Sequence, residues 1–339
     1  MKALVIEDVD RCALRDVERR EPGPGEVLVA VRNVGLCGSD LNTFRGANPL
    51  ASLPRIPGHE VSGVVAALGA SVGAELRPGQ RVVVMPYTSC GVCPSCRKGR
   101  TNACRGNRTL GVQQEGALSE TAVVAADKLI VNETLSARRL ALAEPLAVGF
   151  HAAARGQVRR GDRVVVLGCG IIGMGAALAA ARIGAEVIAV DISASKEATA
   201  RKLGAAHFLN PTVQDIGAEV ERITGGDGAD VVIEAVGMPE TFIQAVDLAG
   251  YAGVVVYVGY SKKPVTYQTQ FFNMKELDIR GSRNATLADF HASIACLEAI
   301  GDDADLLISR VFPFTEAADA LPYWQGVRSE VFKILVEQE

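Results

Sequence analysis

Residues 161–184 read GDRVVVLGCGIIGMGAALAAARIG. In this stretch the apolar run 164–167 is followed by a turn rich in glycine and then by a long run of small and apolar residues. A short continuous apolar run is typical of a buried strand, and the longer run predicts a helix that packs closely on a sheet. The stretch therefore predicts a strand, a turn and a helix.

The same alternation of strand and helix patterns continues downstream. Further apolar runs, AEVIAVD at 185–191, ADVVIEAVG at 229–237 and GVVVYVGY at 253–260, alternate with segments of helical character. Alternation of strand and helix over about 130 residues indicates a doubly wound parallel sheet. We predict that residues 151–285 form this α/β domain.

The remaining chain has a different pattern of residues. Residues 1–145 contain short valine-rich runs separated by proline and glycine, which are typical of an antiparallel, barrel-like domain. The tail has two candidate helices and a last strand, VFKILVE. We predict a second domain made of residues 1–150 and 286–339, to which the tail returns.

Composition excludes several classes of protein. Of the 339 residues, 48% are hydrophobic, and the net charge is −4. An acidic chain gives no reason to expect a nucleic-acid or anionic-membrane partner. The N-terminal segment has early charges and no long apolar run, which argues against a signal peptide. We expect a soluble, cytoplasmic protein.

The glycine-rich turn predicts a dinucleotide site. GCGIIG places Gly168, Gly170 and Gly173 between the strand and the helix, with Ile171 and Ile172 at the helix start. Glycines at these positions allow a tight turn and close approach of a pyrophosphate, which the helix N-terminus stabilises. A tight turn without a ligand is the alternative.

An acidic residue supports this interpretation. Asp191 ends the next strand, where a carboxylate binds the ribose hydroxyls of NAD and repels the 2′-phosphate of NADP. NAD is therefore the expected cofactor. Lys196 is either a ribose contact or an exposed helix lysine, and we also assign Val236 and Gly259 to the cofactor.

Four cysteines lie close together in the first domain. Cys90, Cys93, Cys96 and Cys104 follow the pattern C-x2-C-x2-C-x7-C. Cytosolic thiols are usually reduced, and four thiolates can bind one zinc ion in a closed, structural site. A disulfide or an iron–sulfur centre is the alternative.

A second group has the residue types of a catalytic zinc site. Cys37, His59, Glu60 and Glu144 supply the thiolate, imidazole and carboxylate ligands that such sites use. Taken singly, Cys37 is equally a small buried residue, His59 a hydrogen-bonded core residue and Glu144 a helix cap. Together they favour a metal that binds substrate.

These motifs together resemble the zinc-dependent medium-chain alcohol and polyol dehydrogenases. GHEVSGVVAALGASV at 58–72 is similar to that family's zinc signature, and the four-cysteine segment is similar to its structural zinc loop. The resemblance implies a GroES-like β-barrel catalytic domain interrupted by a Rossmann domain, with a cleft between them. It also implies one catalytic zinc, one structural zinc and NAD.

The resemblance assigns roles in the catalytic site. Cys37 and His59 would be zinc ligands, with Glu60 or Glu144 as a further ligand, bound directly or through water. Ser39 would bond the substrate oxygen and pass on its proton, and Asp40 would orient His59. The implied reaction forms a zinc alkoxide and transfers hydride to NAD.

The substrate is expected to be a small alcohol. GSRNAT at 281–286 and RGANP at 45–49 resemble segments of bacterial L-galactonate and L-gulonate 5-dehydrogenases. We therefore expect a sugar acid bound by Phe44, Arg283 and Asn284. Arg283 is alternatively a surface arginine or part of a salt bridge at the domain interface. Sorbitol, galactitol or its phosphate, L-threonine and 2,3-butanediol stay open as substrates. Relatives suggest a homodimer or homotetramer.

Overall fold

The computed structural model of the protein describes residues 1–338. Within that range the strands are β1 Lys2–Asp8, β2 Arg11–Asp16, β3 Glu26–Leu36, β4 Glu60–Leu68, β5 Arg81–Val84, β6 Thr121–Ala125, β7 Leu129–Val131, β8 Arg163–Leu167, β9 Glu186–Val190, β10 His207–Leu209, β11 Ala229–Glu234, β12 Ala249–Tyr257, β13 Asp278–Gly281, β14 Ile308–Pro313 and β15 Lys333–Glu337.

The α-helices are shorter near the N-terminus than in the middle of the chain. They are α1 Gly38–Phe44, α2 Pro94–Arg97, α3 Ala137–Leu140, α4 Ala143–Gly156, α5 Ile171–Ile183, α6 Glu197–Lys202, α7 Ile216–Thr224, α8 Pro239–Leu248, α9 Gln270–Met274, α10 Leu287–Ile300 and α11 Ala317–Gly326. No helix in residues 1–338 is long and apolar enough to cross a bilayer.

The chain forms two compact units. Unit 1 comprises Met1–Glu144 and Leu297–Glu339, and unit 2 comprises Pro145–Cys296. The chain passes between the units inside α4 and inside α10. The sequence predicts these boundaries near residues 150 and 285, because the residue pattern changes there. A boundary inside a helix leaves no such change of pattern.

Unit 1 is built on a mostly antiparallel sheet. The strand order is β14-β15-β3-β4-β5-β7, with β6 also paired to β3, and only β14 and β15 run parallel. Most residues of β3 and the first half of β4 are buried, and valines such as Val34 and Val61 belong to one core. The tail strand β15 pairs antiparallel with β3, so the C-terminal part of the chain joins the same sheet.

Unit 2 contains a six-stranded parallel sheet in the order β10-β9-β8-β11-β12-β13. In chain order this is the 3-2-1-4-5-6 arrangement of a doubly wound dinucleotide-binding fold. Strands β8 and β9 carry the continuous apolar runs that the sequence predicts, and both are almost fully buried. The predicted fold class, a GroES-like domain with a Rossmann domain, is confirmed.

Candidate metal centres and active site

Cys37 lies where β3 ends and α1 begins. Asp40, in the first turn of α1, fixes this junction: its Oδ2 accepts a hydrogen bond of 2.9 Å from the backbone N–H of Cys37. Its Oδ1 accepts one of 3.2 Å from Gly58 N–H, directly before His59. The Asp40 carboxylate lies 3.9 Å from His59 Nδ1, too far for the direct hydrogen bond expected from the sequence. Asp40 therefore orients the backbone on both sides of the site.

Pairing of β3 with β4 brings three candidate ligands together. Glu60 is the first residue of β4 and pairs with Gly35, two residues before Cys37. The ligand atoms of Cys37, His59 and Glu60 lie within 4.8 Å of one another. We call these three residues the ligand cluster. Gly35 is required here because a Cβ at that position would lie 2.0 Å from Glu60 Oε2.

The ligand cluster fits a zinc ion. A thiolate, an imidazole and a carboxylate are the donors of catalytic zinc sites, which leave one position for water or substrate. Two buried oxygens nearby, Glu60 Oε2 and Ser39 Oγ, have no hydrogen-bond partner among residues 1–338. Buried polar atoms are normally satisfied, so this arrangement suits an added cation and a polar ligand.

The other oxygen of Glu60 is held by a lysine from the tail. Lys333 Nζ donates hydrogen bonds of 2.6 Å to Glu60 Oε1 and of 2.8 Å to Leu36 O. The side chains of Lys333 and Glu60 are each 1% exposed. The sequence gives no sign of this pair, because 273 residues separate its members.

Glu144 is buried beside the ligand cluster, and its Oε1 accepts a hydrogen bond from the hydroxyl of Tyr87. Burial raises the pKa of Glu144 to about 7, although the positive charge of His59 opposes the rise. Burial lowers the pKa of His59, but the negative charges of Cys37 and Asp40 outweigh it and raise that pKa well above its ordinary value. The anions around His59 thus favour a positive charge at this place, which a bound cation would supply.

The second group is the segment Cys90–Cys104, here called the cysteine loop. The four sulfur atoms lie within 4.8 Å of one another, and Cys93 Sγ is 3.5 Å from Cys96 Sγ and 3.8 Å from Cys104 Sγ. These separations are far above the length of about 2.05 Å of a disulfide bond. All four cysteines are free thiols.

Local hydrogen bonds converge on two sulfurs of the cysteine loop, those of Cys93 and Cys104. The backbone N–H groups of Cys90 and Gly106 each donate to Cys104 Sγ over 3.3 Å. The Ser95 hydroxyl and neighbouring backbone N–H groups lower the pKa of Cys93 to about 5, whereas burial raises the pKa of Cys96 to about 11. Four converging sulfurs fit a closed, structural zinc site.

The glycine-rich turn of unit 2 leaves space for a phosphate. Gly168 has a φ of +93°, and a Cβ on Gly173 would lie 1.8 Å from Gly168 O, so both positions require glycine. A Cβ on Gly170 would meet no atom within 4 Å. Ile171 and Ile172 begin α5 directly after this open position. The turn therefore fits a pyrophosphate at a helix N-terminus.

Asp191 lies beside this turn. Its Oδ2 accepts a hydrogen bond of 2.7 Å from Cys169 N–H, and its Oδ1 accepts one of 2.9 Å from Ser193 N–H. Lys196 Nζ lies 3.2 Å from Asp191 Oδ2, and both side chains are less than a tenth exposed. Lys196 is thus not the exposed helix lysine of the alternative interpretation.

Val236 and Gly259 belong to two adjoining loops after β11 and β12. Glu234, fully buried at the end of β11, joins these loops: its Oε1 accepts hydrogen bonds from Val236 N–H and Gly237 N–H. Its carbonyl oxygen accepts from Gly259 N–H over 3.2 Å. Sequence reasoning missed Glu234, although a carboxylate inside a buried strand is itself an unusual signal.

The residues assigned to substrate have different environments. Phe44 is 2% exposed and belongs to the core of unit 1, so its predicted substrate contact is wrong. Since α1 buries Leu41 and Phe44 on one face, the ring points into the core. Arg283 is exposed, and Asn284 is half-buried with a φ of +53°.

The loop that carries Arg283 is anchored just beyond it. Asp289 Oδ2 accepts hydrogen bonds from Thr286 N–H over 2.7 Å and from Thr286 Oγ1 over 2.6 Å. The same oxygen lies 2.9 Å from His151 Nδ1. Burial opposes the effect, but these contacts lower the pKa of Asp289.

Comparison with known families agrees with both units. Residues 23–133 match the alcohol dehydrogenase GroES-like domain, and residues 172–299 match the zinc-binding dehydrogenase domain. The chain belongs to the zinc-binding dehydrogenases. It is an oxidoreductase of the zinc-type alcohol dehydrogenase family, whose cofactors are zinc and a nicotinamide dinucleotide.

Individual relatives span nearly the whole chain. L-galactonate-5-dehydrogenase of Escherichia coli K12 is 36% identical over 321 residues, 94% of each chain. Sorbitol dehydrogenase of Bacillus subtilis 168 is 31% identical over 344 residues, covering 99% of this chain and 97% of that one.

Two solved structures carry cofactor. RspB of Escherichia coli CFT073 in complex with NADH is 30% identical, with a TM-score of 0.91 and 99% of each chain covered. A zinc-binding dehydrogenase of Sinorhizobium meliloti 1021 bound to NADP is 31% identical, with a TM-score of 0.89, and covers 99% of this chain and 98% of that one.

Proposed function

We propose that this dehydrogenase oxidises a secondary alcohol of a sugar acid, of the L-galactonate or L-gulonate type, to the keto sugar acid with NAD. The observation that carries the proposal is the similarity to L-galactonate-5-dehydrogenase across 94% of both chains. The residue Arg283 is exposed, and it supports the proposal because arginine binds carboxylates through two parallel hydrogen bonds.

The ligand cluster of Cys37, His59 and Glu60 would hold the catalytic zinc, and the cysteine loop would hold the structural zinc. Bound zinc would supply polarisation of the substrate oxygen, and bound NAD would supply the hydride acceptor. Glu60 serves as the carboxylate ligand, because its Oε2 has no protein partner in residues 1–338. Glu144 lies outside the ligand cluster at rest, with its Oε1 bonded to Tyr87.

Ser39 acts on the proton of the substrate hydroxyl. Its Oγ is buried and has no hydrogen-bond partner among the described residues, so it is available to a hydroxyl brought by substrate. A serine hydroxyl both accepts and donates, which lets it take the substrate proton and pass its own to water. Asp40 keeps Ser39 in place by fixing the first turn of α1.

The cofactor binds at the glycine-rich turn. The backbone around Gly168, Gly170 and Gly173 and the start of α5 receive the pyrophosphate. Asp191 binds the adenosine ribose, and the ion pair with Lys196 holds its carboxylate in position. A carboxylate at this place disfavours the 2′-phosphate of NADP, which is why we propose NAD.

The proposed substrate contacts lie in the loop that follows β13. Arg283 binds the carboxylate of the sugar acid and Asn284 a hydroxyl, while Asp289 and His151 hold the end of their loop. We further propose that the enzyme is cytoplasmic and works as a homodimer or homotetramer.

A polyol substrate is the second candidate, and the similarity to sorbitol dehydrogenase favours it. A neutral polyol needs hydroxyl contacts and has no carboxylate with which a guanidinium could form a charged, two-bond pair. The two candidates therefore differ in what Arg283 contributes.

The test measures NADH formation by the zinc-loaded enzyme with L-galactonate, L-gulonate, sorbitol and galactitol, and repeats each assay with NADP. We expect a sugar acid to have the highest kcat/KM. The variant Arg283→Met should lower that value by about 10- to 100-fold through KM, as loss of a charged hydrogen-bonded pair does, and leave polyol turnover unchanged. Arg283→Lys, which keeps the charge, should lose less. Preference for a neutral polyol would overturn the sugar-acid proposal.

A further inference from the structure

Tyr87 forms a hydrogen bond with Glu144, one of the two buried carboxylates of the site. It lies just after β5, is 7% exposed, and its hydroxyl donates a hydrogen bond to Glu144 Oε1. Glu60 has a different partner, Lys333, whose ammonium holds Oε1. Each carboxylate is thus positioned by one buried side chain from elsewhere in unit 1.

The backbone of Tyr87 is fixed from the far end of the cysteine loop. Tyr87 forms a β-bridge with Thr109. On either side of the bridge, Thr88 N–H donates to Arg108 O over 3.2 Å, and Leu110 N–H donates to Pro86 O over 3.2 Å. Residues 86–88 and 108–110 therefore lie side by side at the base of the cysteine loop.

The hydrogen bond from Tyr87 competes with a metal ion for Glu144. A carboxylate oxygen that accepts a hydrogen bond from a buried hydroxyl has one lone pair fewer to offer a cation. Among the described residues the ligand cluster contains Glu60 and excludes Glu144, although both carboxylates are buried. Glu60 Oε2 has no such partner.

We propose that Tyr87 is a positioning residue: its hydroxyl keeps Glu144 out of the resting ligand set, and the folded cysteine loop holds Tyr87 where it can do so. This inference rests on the proposed zinc site at the ligand cluster. The cysteine loop would then affect the chemistry indirectly, through Tyr87. A metal bound by its four cysteines would not have to contact substrate.

The experiment replaces zinc with Co(II) and records the visible absorption of the enzyme without substrate or NAD. The bands of Co(II) depend on its ligands and report a change in the ligand set directly. Tyr87→Phe removes the hydroxyl and keeps the ring. We expect its spectrum to differ from that of the wild type, and kcat/KM of the zinc enzyme to fall by about 10- to 100-fold, the usual effect of losing a partner behind a metal site.

A double variant identifies the carboxylate. If Tyr87→Phe frees Glu144 to bind the metal, Tyr87→Phe/Glu144→Gln should recover the wild-type spectrum. Glu144→Gln alone should leave the spectrum unchanged, because Glu144 is not a resting ligand. Tyr257→Phe is the matched control, since its hydroxyl also donates one hydrogen bond, to Phe242 O over 3.0 Å, and lies in unit 2. It should leave the spectrum unchanged.

An unaltered spectrum in Tyr87→Phe overturns the role of Tyr87. If that variant does not fold, a spectral change in Glu144→Gln alone overturns the same inference by showing that Glu144 is a resting ligand. Failure of the proposed function is recognised separately. In that case Cys37→Ser would leave every Co(II) band of the wild-type protein in place.

Discussion

The cysteine loop and the ligand cluster are both built on cysteine within unit 1, yet the chain assembles them differently. The cysteine loop takes four identical donors from fifteen consecutive residues. The ligand cluster takes three different donors from the end of β3 and the start of β4, and a lysine from β15 holds its carboxylate.

Under the proposed function, this difference would separate a metal that stabilises from a metal that reacts. Four sulfurs satisfy a tetrahedral ion completely, so the cysteine loop has no position for substrate. The ligand cluster offers three donors and two buried oxygens without protein partners in residues 1–338. Its incomplete donor set is what makes it suited to catalysis.

Cys37→Ser tests the catalytic role of the ligand cluster and should have the largest effect of the variants. Loss of the thiolate removes one of three protein ligands, so we expect turnover to fall by about a thousandfold or more. The affinity for NAD, measured by quenching of protein fluorescence, should be close to that of the wild type. Loss of the folded state, seen by circular dichroism, would contradict a catalytic role for Cys37.

Cys93→Ser tests the structural role of the cysteine loop. Cys93 is buried and contacts two other sulfurs, so its loss should release the zinc and loosen the loop. We expect the thermal midpoint to fall by roughly 10 °C, as for a loss of a few kcal/mol. Differential scanning calorimetry gives the value. A variant that loses one zinc but keeps its thermal midpoint would show that the cysteine loop does not stabilise the fold.

Lys333→Met should have the smallest effect, and it sharpens the comparison because it removes the buried counter-charge of the ligand cluster. Breaking a buried pair leaves Glu60 without its cation and should lower the free energy of unfolding by about 3 kcal/mol, measured by chemical denaturation. The matched control is Lys2→Met, whose pair with Asp16 has a similar distance of 2.7 Å but is exposed. No measurable loss is expected there, and equal effects of the two variants would contradict the account.

The sequence predicted the features that depend on neighbouring residues. Gly168, Gly173 and the cysteine spacing are local patterns, because a turn or a loop is specified by residues close in the chain. Lys333 and Tyr87 were not foreseen, since they reach Glu60 and Glu144 across 273 and 57 residues. Phe44 was assigned to substrate because it follows Cys37, but helical periodicity turns it into the core.

The role of Asp40 shows a second limit of prediction from the sequence. Its position near Cys37 indicated a partner for His59, yet its two oxygens accept from backbone N–H groups. Sequence spacing brings residues into the same neighbourhood but does not determine which of several donors a carboxylate will bond. That choice depends on angstrom-scale differences in how α1 meets the segment before β4.

The most direct test of two separate metal roles is the zinc content per chain, measured together with turnover, in the wild type, Cys37→Ser and Cys93→Ser. The account predicts two zinc ions in the wild type and one in each variant, as the two clusters require. It further predicts no turnover in Cys37→Ser and measurable turnover in Cys93→Ser at low temperature. A single zinc in the wild type, or full turnover in Cys37→Ser, would contradict it.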